Sequence, residues 1–384
     1  MKNIFLLCGL LGLGFVVVPT PAQDSASTNI RWGGGVLNRD AAWYASDPAR
    51  AVADSVIQYQ SPQGGWPKAT DLARPPRSPA DIPAAGSGRA NTFDNGGTTI
   101  PMEFLARIIT ATNEAKYLES FNRGLDYLFA AQYPNGGWPQ FYPLREGYYS
   151  HITYNDGAMI RVMTLLRGVA AGKAPYAFVD TERRAKAGAA VARGIACVLR
   201  TQVKQDGKLT VWGAQHDRET LAPAWARNYE IPSLSGAESV GIVRFLMEIE
   251  SPTPEIIAAV EGAVTWFNVV KISGLRYKRS RTADGQRDGW VEPDLQAEPL
   301  LARFYELGAN RPIFVGRDKV IHYSLDQIER ERRGGYAYYG DWPASLVERD
   351  YPKWRARHKL APDSTIGKSA APTEKLPAKS GPTK

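Results

Sequence analysis

Two acidic loops carry residue types from which a metal-assisted or proton-transfer centre could be built. Thr92-Phe93-Asp94-Asn95-Gly96-Gly97-Thr98-Thr99 precedes an apolar run that predicts a helix over 101–112. Ile152-Thr153-Tyr154-Asn155-Asp156-Gly157 precedes another, with a helix predicted over 157–168. Asp94 and Asp156, with Asn95 and Asn155 beside them, offer the hard oxygen donors that Ca²⁺ takes. As a carboxylate pair they could instead be the acid and base of an inverting glycoside hydrolase, with calcium irrelevant. Asp156 also has a purely structural reading, because Asp and Asn are preferred helix N-caps. Thr98 or Thr99 is better placed to cap the first helix, which leaves Asp94 in its loop.

Two further segments hold arginines among aromatic residues. Trp225-Ala226-Arg227-Asn228-Tyr229-Glu230-Ile231-Pro232-Ser233 runs into Ser235-Gly236-Ala237-Glu238, which reads as a capping box that starts a helix over 236–250 and does no chemistry. Arg227 therefore stands just before a helix, as Asp94 and Asp156 do. Further on, Arg303, Arg311 and Arg317 lie among Phe304, Tyr305 and Phe314. Guanidinium forks bind carboxylates bidentately and stack on rings, which suits an acidic sugar.

These side chains need elements to hold them, and the chain contains a repeat. Gln60-Ser61-Pro62-Gln63-Gly64-Gly65-Trp66-Pro67-Lys68 recurs 72 residues later as Gln132-Tyr133-Pro134-Asn135-Gly136-Gly137-Trp138-Pro139-Gln140. Each follows an amphipathic stretch, 51–59 and 121–131. Degenerate copies read through Gln202, Gly207 and Trp212, through Trp266 and Gly274, and through Gly335 and Trp342. The glycines Gly64, Gly136, Gly207, Gly274 and Gly335 are 72, 71, 67 and 61 residues apart. That period exceeds an ordinary solenoid repeat, and it suits a helical hairpin with a long loop. The fold class expected is mainly α, an α/α toroid (a barrel of helical hairpins) with long loops and minor β. In such toroids the glutamine of Q-x-x-x-G-x-W caps a helix end under a stacked indole, so the motif reads as architecture before chemistry. By the same spacing, Asp94 and Asp156, 62 residues apart, belong at comparable ends of neighbouring hairpins.

Composition narrows the classes of function. An aromatic fraction of 10% in 384 residues excludes general disorder and allows one large domain. Lys2, the apolar run 4–18 and Thr20-Pro21-Ala22 read as an export signal, cleaved after residue 22. The expected organisation is a signal peptide over 1–22, a catalytic domain over 23–360 and a disordered Pro/Lys-rich tail over 361–384. The protein is thus expected to be secreted, periplasmic or extracellular, a monomer, with no stable membrane association after cleavage. Cys8 leaves with the signal and Cys197 remains alone in an apolar helical stretch, so it reads as packing. Four scattered histidines make a His-based metal site improbable. The net charge of +8 fits an acidic polymer, while no nucleic-acid fingerprint appears. A terpene-cyclase-like enzyme would need a clustered D-x-D-D motif, and none occurs.

Taken together, QGGWPK, TFDNGGTT, PNGGWPQFYP, ITYNDGAM, WARNYEIPSLSG and ARFYELGANRPIFVGRD resemble the family 10 polysaccharide lyases, which are pectate lyases. The resemblance runs over 44–352, with six motifs in one order. It implies a helical toroid that cleaves polygalacturonate by Ca²⁺-dependent β-elimination, with an arginine as base. Carried over by motif, Asp94 and Asp156 match the calcium-binding aspartates, with Asn95 beside the first. Arg227 matches the base, and Arg303 and Arg317 match the arginines that hold substrate carboxylates. Trp66, Lys68 and Tyr336 match further substrate contacts. The chain departs from the family's wording at Leu301-Ala302-Arg303, where Trp-Ala-Arg is usual, and at Asn228. A guanidinium is a base only when its pKa is lowered, for which a cation-rich neighbourhood and an alkaline optimum are expected.

Overall fold

Helices α1 (Asp47–Gln58), α3 (Ala115–Ala131), α5 (Thr181–Thr201) and α7 (Pro254–Val270) touch one another in succession as one row. Helices α2 (Thr99–Thr112), α4 (Ala158–Ala171) and α6 (Glu238–Met247) form a second row against them. The computed structural model describes residues 30–361, and this double row of hairpins is the expected helical toroid. The signal sequence at 1–22 and the tail beyond residue 361 lie outside the described residues. In sequence the two rows differ. α2, α4 and α6 are apolar on most faces and bury residues all round, whereas α5 buries one stripe that includes Ala187, Ala190, Val191, Gly194, Cys197 and Val198. Cys197 packs in that stripe, and burial pushes its thiol up to about 11, which leaves it inert.

The glutamine–tryptophan motif fastens successive helices of the first row together three times. Gln60 Nε2 donates to Gly64 O and Ser120 O, both at 2.9 Å. Gln132 Nε2 does the same to Gly136 O at 3.0 Å and Ala190 O at 2.9 Å, and Gln202 Nε2 to Thr210 O at 2.8 Å and Ala259 O at 2.9 Å. Each glutamine thus ties its own loop to the next helix of the first row. The indoles follow the same rule. Trp66, Trp138 and Trp212 donate from Nε1 to Val56 O, Leu128 O and Val198 O at 2.9, 2.9 and 2.8 Å.

The third copy corrects the glycine count. A short hairpin (Lys204–Gln205 with Lys208–Leu209) is inserted between Gln202 and Trp212, so Gly207 turns that hairpin and Thr210 O takes the acceptor role of Gly64 and Gly136. The fourth and fifth copies do not form. Trp266 lies inside α7 and donates to Asn310 Oδ1 at 2.7 Å. Gly335 ends the short helix α8 (Arg330–Gly335). That helix packs on a hairpin of Leu275–Arg281 with Arg287–Pro293.

After each tryptophan the chain crosses to the start of the next second-row helix. Thr92 N, Thr153 N and Ser235 N donate to Trp66 O, Trp138 O and Trp212 O at 3.3, 3.0 and 2.7 Å. The loops ahead of α2, α4 and α6 are thereby hung from one scaffold at one mouth of the toroid. Small strand pairs finish that mouth: Ile152–Thr153 with Gln215–His216, Leu234–Ser235 with Phe304–Tyr305, and Leu301–Ala302 with Tyr339–Gly340.

Candidate functional site

The two acidic loops form the same turn. Phe93-Asp94-Asn95-Gly96 and Tyr154-Asn155-Asp156-Gly157 share their backbone path, with Asn95 and Asp156 at φ 51 and 52 and Gly96 and Gly157 at φ 71 and 72. Asn, Asp and Gly are the residues that visit this left-handed region at least cost. Asp94 and Asp156 stand at comparable ends of neighbouring hairpins, one step apart within the turn: Asp94 is equivalent to Asn155, and Asp156 to Asn95. Asp156 is no N-cap, since Gly157 holds that place, and Thr98 Oγ1 donates to Thr92 O at 2.9 Å without capping α2.

The two turns touch, yet their carboxylates live differently. Asp94 is buried, and its Oδ2 accepts from Lys68 Nζ and from Gln140 Nε2 at 3.0 Å. Lys68 and Gln140 are the same residue of two motif copies, two places after Trp66 and Trp138. That equivalence is the sequence signal that points to Gln140. Asn95 is exposed and donates from Nδ2 to Asp94 Oδ1 at 3.2 Å. Asp156 has a side chain 41% exposed, with Oδ1 3.8 Å from Arg303 Nη2. Burial, then the nearby Glu238 and Asp94, raise its pKa, while Arg303 opposes them.

Glu238, assigned only to helix capping, belongs to this site. Its backbone N does donate to Ser235 Oγ at 3.2 Å, but its buried carboxylate forms an ion pair with Arg303. Arg303 is nearly enclosed and lies 4.5 Å over the ring of Tyr336, with Nε unpartnered.

Across the mouth, Tyr229 and Tyr336 gather the arginines. Arg227 and Arg317 each lie 5.1 Å from the Tyr229 ring and Arg332 lies 3.6 Å from it. Arg332, which sequence reasoning missed, is buried and 5.4 Å from Tyr336, and it has no carboxylate partner among the described residues. Arg317 is exposed and pairs with Glu331 at 3.1 Å, a surface contact of the kind that a substrate anion can replace.

Three of the predicted substrate contacts sit otherwise than expected. Trp66 is 0% exposed, its indole spent on Val56 O, so it supports the fold and presents no face to a ligand. Lys68 is drawn onto Asp94. The Tyr336 hydroxyl donates to Glu230 Oε1 at 3.2 Å, and its ring stacks on Phe304.

Arg227 departs from expectation in its electrostatics. Its guanidinium donates from Nε to Glu230 Oε2 at 2.8 Å and from Nη2 to Glu230 Oε1. Glu230 is itself buried, so the pairing raises the arginine pKa above its ordinary value. The nearest charged neighbour of Arg227 is thus an anion, which acts against the lowering that neighbouring cations would bring.

Among the described residues no three Asp, Glu, His or Cys side chains stand close enough to enclose a metal alone. The donor chemistry at the mouth nonetheless suits a hard cation. Asp156 faces Glu238 and Asp94 with one arginine at 3.8 Å, a like-charge crowding that a divalent ion completed by a ligand's own carboxylate would relieve. A cavity of about 420 Å³ beside the first acidic turn is lined by Asn95, Lys68, Thr70, Arg31 and Trp32.

Comparison with known proteins identifies the family. The sequence matches the pectic acid lyase family over residues 60–347. It is similar to the solved family 10 polysaccharide lyase from Cellvibrio cellulosa, at 33% identity over 85% of this chain and 99% of that one, with a TM-score of 0.70. It is also similar to an aspartate-to-alanine mutant of family 10 polysaccharide lyase from the same organism in complex with trigalacturonic acid, at 33% identity over 84% and 99% of the two chains, with a TM-score of 0.69. No curated protein matches the chain.

Proposed function

Because this chain belongs to the pectic acid lyase family and is a family 10 pectate lyase, we propose that it cleaves polygalacturonate by Ca²⁺-dependent β-elimination, with Arg227 as the base. The observation that carries the proposal is Arg303. It stands between the acidic turns and the tyrosine-stacked arginines, 3.8 Å from Asp156 and 4.5 Å over Tyr336, where a uronate would meet both halves of the mouth. The relative bound to trigalacturonic acid supports the substrate class.

Asp156 and Asp94 would hold the cation, with Asn95 and Glu238 beside them. Bound there, Ca²⁺ supplies positive charge against the uronate carboxylate, which lowers the cost of negative charge next to C5. Arg303 and Arg317 donate to substrate carboxylates and orient the ring. A nitrogen of Arg227 takes the C5 proton. The C5–H electrons form the C4–C5 double bond, the C4–O4 bond breaks, and O4 leaves with its electron pair and is protonated by solvent. Glu230 keeps Arg227 protonated at neutral pH, so the rising limb of activity falls on the alkaline side. An alkaline optimum is therefore proposed, with the Glu230 carboxylate as its cause.

Membership of a lyase family sets aside the hydrolase alternative for Asp94 and Asp156. We further propose export by way of residues 1–22, a soluble monomer, and pectin as the sole macromolecular partner. Among the described residues no helix is long and apolar enough to cross a membrane. The test is incubation with polygalacturonate at alkaline pH, with Ca²⁺ or with EDTA, while following the ultraviolet absorbance of the unsaturated end. Absorbance that EDTA abolishes and Ca²⁺ restores is expected. Absorbance indifferent to EDTA would remove calcium from the scheme, and new saturated reducing ends without absorbance would restore the hydrolase.

A further inference from the structure

We propose that Glu230 is a positioning residue that selects which nitrogen of Arg227 can act as base. The inference rests on the assignment of Arg227 to the C5 proton and goes beyond it. Glu230 accepts from Arg227 three times: from the backbone N at 3.2 Å, from Nε at 2.8 Å and from Nη2. The turn is closed by Glu230 N donating to Arg227 O at 2.7 Å. Nη1 has no partner among the described residues, and the Arg227 side chain is 42% exposed while that of Glu230 is 7% exposed. The carboxylate thus grips one edge of the guanidinium from inside the protein and leaves the other edge outward.

A neutral guanidine has one imine nitrogen, and the two hydrogens held by Glu230 decide where it can be. Loss of a proton from Nε or Nη2 would break a charge-assisted bond to a buried carboxylate. Loss from Nη1 breaks none. The pairing therefore fixes both the orientation and the tautomer of the base, as a buried aspartate does for the imidazole of a Ser-His-Asp triad. Glu230 is held in turn by the Tyr336 hydroxyl, which donates to Oε1 at 3.2 Å. That role explains why Tyr336 points its oxygen into the protein.

The fixed tautomer has a cost in basicity, because the anion that orients Arg227 also favours its charged form. Every ionisable group facing this guanidinium bears on the balance. They are Glu230 and Tyr229 from its own loop, Tyr336 beyond α8, and Tyr148 of the turn Gly147–Ser150. Arg317 and Arg332 act across Tyr229, and Arg303 across Tyr336.

The test is the pH–rate profile of the full-length enzyme on polygalacturonate with saturating Ca²⁺, for wild type, Glu230→Gln and Arg227→Ala. Gln keeps the volume but offers one acceptor oxygen and no charge. For Glu230→Gln, kcat on the plateau should fall roughly 10²-fold with KM within a few-fold, as for a base held slightly out of place. Its rising limb should move to lower pH by about 1–3 pH units, because the anion that raised the arginine pKa is gone. Tyr336→Phe, which removes one donor from the Glu230 carboxylate and leaves that charge to Arg227, should move the limb slightly to higher pH, and it keeps the question answerable should Glu230→Gln fold poorly. An inactive Arg227→Ala alongside a Glu230→Gln enzyme with wild-type kcat and limb would overturn this inference alone. A fully active Arg227→Ala would overturn the base assignment and this inference together.

Discussion

Asp94 and Asn155 occupy the same place in two copies of one turn, so the order Asp-Asn in the first loop becomes Asn-Asp in the second. The exchange decides which carboxylate is held and which is left available. At the first position Asp94 is buried and bound by Lys68 and Gln140. At the second, Asp156 stands half-exposed with Glu238 and Asp94 as its charged neighbours and Arg303 opposing them.

Asp94→Asn and Asp156→Asn should therefore both lower lyase activity, but by different routes. Asp94→Asn leaves the Lys68 ammonium without its carboxylate and should cost about 1–3 kcal/mol of stability with or without Ca²⁺. Asp156→Asn removes a like charge from the acidic cluster, so the Ca²⁺-free melting temperature should hold or rise slightly, while the rise produced by Ca²⁺ disappears. Melting curves of both variants with Ca²⁺ and with EDTA separate the two. Equal Ca²⁺-free melting temperatures for the two variants would show that the exchanged order carries no functional distinction.

Glu238 and Arg303 form the least exposed ion pair at the mouth, and Arg303 Nε is already without a partner. Removal of one member of such a pair strands a buried charge, which typically costs about 3–5 kcal/mol. Glu238→Ala should be destabilised by that order, whereas Arg303→Met with Glu238→Gln together should recover much of the loss yet remain inactive on polygalacturonate. Chemical denaturation of the three proteins checks the first statement, and the absorbance assay the second.

How much of this was legible in the sequence differs from feature to feature, for physical reasons. The helices that follow the exact motif copies and both acidic loops could be read, because periodicity and turn chemistry are local. The number of repeats could not. The hairpin inserted at Gly207 displaces the glycine from its structural place, while the real invariant, a glutamine amide bridging two backbone carbonyls, tolerates Thr210. Glu230 three residues after Arg227 reads like an ordinary surface pair until burial makes it a clamp. Glu238 was hidden by the capping box that the sequence spells: its N–H does reach Ser235 Oγ, but its carboxylate takes both the Ser235 hydroxyl and Arg303, and α6 begins from Ala237 without a side-chain cap. Trp66 and Lys68 lie two residues apart in one motif, yet one is fully enclosed and the other reaches the acidic turn. That distinction depends on the third dimension.

The motif glutamines and indoles should be structural in every copy. Gln132→Ala frees the carbonyls of Gly136 and Ala190 and the guanidinium of Arg193 and removes three bonds, a loss of about 1–3 kcal/mol. Trp66→Ala empties a fully buried site and should cost about 3–5 kcal/mol. In any fraction of either variant that folds, KM for polygalacturonate should be close to wild type. A raised KM at unchanged stability for Trp66→Ala would return that residue to the substrate contacts.

Acid should weaken the protein through His216, on the strand paired with the one that leads into the second acidic turn. Its ring is fully buried, with Nε2 accepting from Gly213 N and Nδ1 donating to Leu221 O, both at 2.9 Å. Burial lowers its pKa from 6.5 to about 4. The unfolded chain takes up this proton near 6.5 and the folded chain not until about 4, so the stability that the neutral ring confers is complete above pH 6.5 and is lost as pH falls toward 4. The loss attributable to this one group is up to about 3 kcal/mol. Protonation also sets an N–H against that of Gly213, whose neighbour Ala214 holds Tyr154 N and Asn155 N at 2.9 Å. The Asp156 turn should loosen with it. Thermal melts from pH 8 to pH 4 should show a steep decline for wild type and a flatter one for His216→Gln, which begins less stable but cannot titrate. Parallel declines would mean that other groups govern acid unfolding.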